Sequence, residues 1–158
     1  MTTLARSASR AARRARDLTK RTEYLSFRVG REQYALRIDP IGEILRVVGI
    51  TPVPRTAKHV AGVASIRGTL AAIVDLRVLF GQPVTSDTKN RILLVDRFQE
   101  KIGLLVDEVR EVLRLDDSDI EPPHALGAEP PAYVLGVTRP DGGDPIVLLE
   151  IHLLLANR

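Results

Sequence analysis

The stretch GVASIRGTLAAIVDLR, residues 62–77, decides how the chain is read. It joins small-residue steps to an Arg67-Gly68 corner and then to TLAAIVDL (69–76), a continuous apolar run of buried-strand length. Gly62 and Gly68 suit corners that need positive φ. Ser65 has no base at a readable spacing, so no nucleophile is expected there. Arg67, between Ile66 and Gly68, offers a planar donor fork at a bend, suited to a carboxylate or to backbone carbonyls of a docking helix. The competing reading is a structural ion pair with Asp75 or another acid. Asp75 and Arg77, which close the run, read as strand-end structure.

Short strands and turns extend on both sides. EYLSFRVG (23–30) alternates Tyr24, Ser26 and Arg28 with Leu25, Phe27 and Val29, the period of a strand with one buried and one wet face. Gly30 to Gln33 turns it into YALRI (34–38), a hairpin. DPIGEILRVV (39–48) reads as a helical turn followed by a strand, and Pro52 and Pro54 argue for an extended or edge connection. RVLFGQPV suggests a short helix ending near Gly81, and 84–90 a loop. RILLVDRF (91–98) and KIGLLVDEVREVLRL (101–115) form a second hairpin whose second arm is long enough to bend or split. Residues 116–133 carry five acids and four prolines and read as irregular. YVLGVTR and PIVLLEIHLLL flank PDGGD, whose Asp-Gly pair is a hairpin signal. Many short strands with few helices indicate an all-β fold of one barrel or paired barrels.

Composition narrows the function. The 158 residues, 44% hydrophobic, suffice for a core and suit one domain or two small intertwined units. No apolar stretch approaches the roughly 20 residues of a membrane span, and no secretory core is present, so a soluble chain in the cytoplasm is the expectation. The absence of cysteine excludes disulfides and thiolate chemistry. Aromatics, at 4%, are too few for nucleic-acid stacking platforms. The net charge of +3 conceals an asymmetry: residues 1–21 hold seven Lys/Arg and one Asp, leaving 16 basic and 19 acidic residues in the remainder. Residues 1–22 read as a basic flexible arm and 23–158 as a mildly acidic domain. The arm could be a solvated tail, a contact for phosphates or an anionic surface, or a targeting peptide.

No constellation for catalysis or metal binding emerges. His59, His124 and His152 stand far apart in unlike contexts, outside any ligand spacing. Asp116, Asp117, Asp119 and Glu121 lack the glycine and distal glutamate of a calcium loop and read as a solvated turn. Phosphate-cradling and nucleophile-elbow motifs are missing. Neither an enzyme nor a cofactor is expected.

Binding is the remaining class. GVASIRGTLAAIVDLR resembles the GVxNLRGxIxPVIDLR signature of the CheW family, adaptors that couple chemoreceptors to the histidine kinase CheA in chemosensory arrays that control motility. EYLSFRVGREQYALRIDPIGEI is similar to the family's opening hairpin and turn, RILLVDRFQEKIGLLVDEVREVL to its second-half hairpin with GxxVDxVxxV, and YVLGV and IVLLEIHLLL to its closing strands. The likeness spans about residues 23–155.

The resemblance implies two intertwined five-stranded SH3-like barrels with short helical turns, a hydrophobic groove for the receptor's helical tip, and an end that docks the kinase. It places Ile41, Glu43, Gly62 and Arg67 in the receptor groove, Leu25 and Ile38 at the kinase-facing end, and Leu126 at a ring contact with kinase neighbours. Packing competes as an explanation for Leu25, Ile38 and Ile41, simple exposure for Glu43, and backbone geometry for Gly62. Three departures stand out: Ser65 where Asn is usual, Ala72 where Pro is common, and a C-terminal helix cut short. They leave open an adaptor that binds receptor and couples weakly to kinase. The alternative function is a nucleic-acid or anionic-surface module working through the basic arm.

Overall fold

The structure, a computed structural model, describes residues 21–126 and 129–156. Ten strands form two five-stranded sheets. The first contains β1 (Thr22–Val29), β2 (Glu32–Arg37), β8 (Glu108–Leu115), β9 (Val134–Thr138) and β10 (Ile146–Leu149), in the order β8-β1-β2-β10-β9. The second contains β3 (Ile41–Arg46), β4 (Val60–Ile66), β5 (Thr69–Asp75), β6 (Arg91–Arg97) and β7 (Glu100–Val106), in the order β3-β6-β7-β5-β4. The chain starts in the first sheet, builds all of the second and then returns, so the two units are intertwined. Two short helices, α1 (Leu76–Leu79) and α2 (Ile151–Leu155), follow β5 and β10. Thr22 pairs with Leu115 at the start of β1, and Arg21 meets Asp116 at 3.7 Å. The rest of the expected arm, residues 1–20, lies outside the described residues.

Strand alternation distributes the apolar side chains among three cores. On β6, Leu93 and Val95 point into a central core while Ile92 and Leu94 line the second barrel; on β10, Leu149 joins the centre while Ile146 and Leu148 line the first. The central core also takes Phe27 and Leu36 from the first sheet, Leu104 and Val106 from the second, and Leu154 and Leu155 from α2. Burying each such side chain contributes roughly 1.5–3 kcal/mol, so this shared core ties the barrels into one unit.

The expectation of one wet face on β1 is corrected, because Tyr24 and Ser26 are buried as well. Tyr24 fills the first barrel's own core. The register of β1 against β8 shifts between Leu25 and Phe27, leaving an extra residue on β8. Ser26 Oγ closes this bulge by donating to the Glu111 carbonyl (2.9 Å) and accepting from its N–H (3.0 Å). The helical turn expected at 39–48 is a plain turn into β3. The long arm at 101–115 does split: β7 ends at Val106, β8 starts at Glu108, and Asp107 is the joint at which the chain passes between sheets. The Asp-Gly signal holds, with Asp141 (φ 54°) and Gly142 (φ 70°) both left-handed in the β9–β10 connection.

Candidate functional site

Arg67 and Gly68 form the two-residue turn between Ile66 of β4 and its partner Thr69 of β5. Both have positive φ, 53° and 79°, the pattern of a type I′ hairpin. Glycine and asparagine suit the first position of such a turn, and an arginine there costs about 1 kcal/mol of backbone strain. The turn lifts Arg67 clear of the barrel, with its side chain 77% exposed. Its Nη2 is ion-paired with Glu43 Oε1, which β3 presents from across the sheet. Of the readings open for Arg67, the internal ion pair is therefore realised, with Glu43 rather than Asp75 as partner. A pair whose cation stays this exposed stabilises a fold little, because Arg67 keeps most of its hydration. Its remaining donors face solvent.

The other expected receptor residues sit differently. Ile41 begins β3 two residues before Glu43 and rests half-buried on the central core. Gly62 is buried, with φ 145°, and a Cβ there would come within 2.1 Å of the Thr51 carbonyl oxygen. Its role is closure of the second barrel, where Thr51 and Val63 exchange both backbone hydrogen bonds (2.8 and 2.9 Å). Direct contact thus joins only Glu43 and Arg67 of the four.

At the expected kinase-facing end, Leu25 is only 4% exposed and packs in the central core. Any part it plays there comes through the strand it anchors, because its side chain offers no surface. Ile38, half-buried, donates its N–H to the Glu23 carbonyl and accepts from Ile41 N–H, fixing the exit from β2 (both 3.0 Å). Leu126 closes the 3-10 turn Pro123–Leu126, and its side chain lies outside the described ones.

Asp75 and Arg77 are indeed strand-end structure. Asp75 caps α1 by accepting from Arg77 N–H (3.0 Å), and its carboxylate also takes the Arg77 guanidinium at 2.9 and 3.2 Å. Arg77 Nη1 continues to Asp107 Oδ1 (3.2 Å) and the Thr85 carbonyl (2.7 Å). Asp107 Oδ2 accepts from Gly30 N–H (2.6 Å), in the β1–β2 turn of the other barrel. Burial opposes the charge on Arg77, but the hydrogen bonds and charges of Asp75 and Asp107 outweigh it and hold the guanidinium pKa above its ordinary value. Asp107 carried no role in the sequence reading; a lone Asp inside the apolar run GLLVDEV was the available signal.

Among the described residues, no group of three or more His, Asp or Glu side chains is arranged to hold a metal ion. Asp119 accepts from Asp116 N–H (2.8 Å) in a small 3-10 turn, and the Asp116 carboxylate meets Arg21. No described helix is long and apolar enough to cross a membrane.

The family described as CheW-like domain matches residues 23–158. The chain belongs to that family. The CheW-like domain here is 32% identical over 137 residues to "Chemotaxis protein CheW" of Klebsiella aerogenes, covering 85% of this chain and 82% of that protein. It is 35% identical over 101 residues to "Chemotaxis protein CheW" of Helicobacter pylori, covering 63% of this chain and 61% of the relative's length. "Protein FrzA" of Myxococcus xanthus is 30% identical over 135 residues, covering 84% of each chain. The crystal structure of the scaffolding protein TtCheW from Thermoanaerobacter tengcongensis superposes with a TM-score of 0.76 at 30% identity, over 86% of this chain and 93% of that one. The two sheets are accordingly the paired SH3-like barrels of the CheW-like fold. CheW-like proteins are non-catalytic scaffolds, and this chain is not an enzyme.

Proposed function

We propose that the chain is a cytoplasmic signalling adaptor that couples the cytoplasmic tips of chemoreceptors to a CheA-type histidine kinase in a chemosensory array. Membership of the CheW-like family supports a chemotaxis scaffold. The observation that carries the receptor reading is Arg67, exposed at a strained hairpin tip and ion-paired with the half-buried Glu43 of β3. Strain that adds nothing to the fold points to a use outside it. The pair fixes the fork in one orientation, and a docking helix can take its remaining donors on a carboxylate or on terminal carbonyls.

The test is calorimetric titration of a soluble chemoreceptor hairpin fragment and, separately, of the kinase's regulatory domain into the full chain. Binding of both in the micromolar range is expected. Failure of both at tens of micromolar sinks the reading. Deleting residues 1–21 separates the basic-arm alternative: receptor binding should survive, and retention on DNA, if any, should vanish with the arm.

A further inference from the structure

Cations gather where the end of β3 meets the start of β6. In the register of that pair Arg46 stands directly opposite Arg91. One step inward, Leu45 and Ile92 turn towards the second barrel's core, so strand alternation sends both arginines to the outer face. Like charges placed directly opposite one another weaken a sheet. Lys89 adds a third cation two residues before Arg91. Among the described residues, none of the three is ion-paired with a carboxylate. The acid of this stretch, Asp87, is turned to its own loop, where its carboxylate accepts from Lys89 N–H (2.9 Å) and the Thr88 hydroxyl (3.4 Å).

The loop is held on both sides. Arg91 Nη1 donates to the Thr88 and Asn90 carbonyls (both 2.8 Å), which leaves the Nε and Nη2 edge of its guanidinium unused. Asn90 Nδ2 donates to the Thr85 carbonyl (2.9 Å), which also takes the buried Arg77 guanidinium (2.7 Å). Arg46, Val47 and residues 87–91 line a depression of about 510 Å3, a size common among small-molecule sites. Asn90 is only 7% exposed, and its Oδ1 meets no donor among the described groups.

We propose that this depression is a binding site for a phosphate group, free or carried on a small ester. Three cations and one carboxylate leave two positive charges, which match the dianion that a phosphate monoester forms above its second pKa of about 6. The Arg91 guanidinium, already fixed by two carbonyls, loses little freedom on binding, and its unused edge takes two phosphate oxygens at once. Arg46 and Lys89 supply further charge, and the bound anion relieves the opposition of the two arginines. A hydroxyl on or beside the phosphate is the donor that Asn90 Oδ1 lacks. A carboxylate brings half the charge and no such donor. The site uses none of the residues of the receptor reading and stands or falls apart from it.

Amide NMR spectra of the full chain, recorded while sodium phosphate is titrated in at about pH 7.5, test the site; sodium chloride holds the ionic strength fixed. Saturable shifts centred on Arg46, Val47 and residues 87–91 are expected, with a Kd in the low millimolar range or tighter. A double variant, Arg46→Gln with Lys89→Gln, changes two exposed side chains. It should bind phosphate about tenfold or more weakly. Without phosphate it should melt at or above the wild-type temperature, because the opposed charges are gone. Ribose 5-phosphate runs beside inorganic phosphate: tighter binding of the ester assigns the site to a phosphorylated ligand, equal binding to the free ion. Shifts that do not saturate by about 50 mM, equal shifts from sodium acetate, or undiminished binding by the double variant overturn the proposal. A double variant that melts well below the wild type shows that these cations hold the fold, and overturns it as well.

Discussion

Arg67 and Arg77 bracket one strand, and each holds a carboxylate, yet they stand in opposite surroundings. Arg77 is buried, shared between Asp75 and Asp107, and linked through Asp107 to the β1–β2 turn of the other barrel. Arg67 is exposed and matched by a single glutamate. A buried charge deprived of its partners has no water to turn to, whereas an exposed one simply rehydrates. The same residue type therefore fastens the fold at one end of β5 and, at the other, holds one glutamate with its side chain exposed.

The sharpest way to break that contrast is to remove Arg77. Arg77→Met leaves Asp75 and Asp107 buried without their cation and should cost about 3–5 kcal/mol in urea unfolding. A loss below about 1 kcal/mol would put the two arginines in the same class. Next in size, Gly62→Ala forces a Cβ against the Thr51 carbonyl at an unfavourable φ. A loss of about 2 kcal/mol or more is expected, and near-neutral stability would remove Gly62 from the barrel closure.

Alkali probes the interior beside α1. Tyr34 stacks on Phe80, the residue that caps α1, with ring centroids 4.6 Å apart. Burial, aided by Glu32 and Tyr133, pushes its phenol up to about 12. The folded state then keeps a proton that the unfolded state releases near pH 10, so this contribution is intact below pH 10 and is lost as pH rises towards 12. The decline should be on the order of 2 kcal/mol, read from unfolding midpoints between pH 9 and 12. A flat profile would mean that Tyr34 is wetter than its stacking implies. The smallest effect on stability belongs to Arg67→Ala, expected within about 0.5 kcal/mol of the wild type.

Local pattern made much of the fold legible. The period-two runs marked most strands, the glycine at 30 and the Arg67-Gly68 pair marked turns, and Asp75 and Arg77 read correctly as strand-end groups. Both faces of β1 being covered was not legible, because Tyr24 and Ser26 look like wet-face residues until β8 arrives from 85 positions away. The partner of Arg67 escaped for a similar reason: Glu43 and Asp75 are both acids within reach in sequence, and only the sheet order chooses between them. Asp107 was hidden inside an apolar run whose charge acquires meaning when the chain crosses between sheets.

Titrating the chemoreceptor hairpin fragment into Arg67→Ala beside the wild type tests the division of labour most directly. The expected result is affinity weakened about tenfold, roughly 1.4 kcal/mol, at an unchanged melting temperature. Undiminished affinity, or a melting temperature that falls as far as that of Arg77→Met, would contradict it.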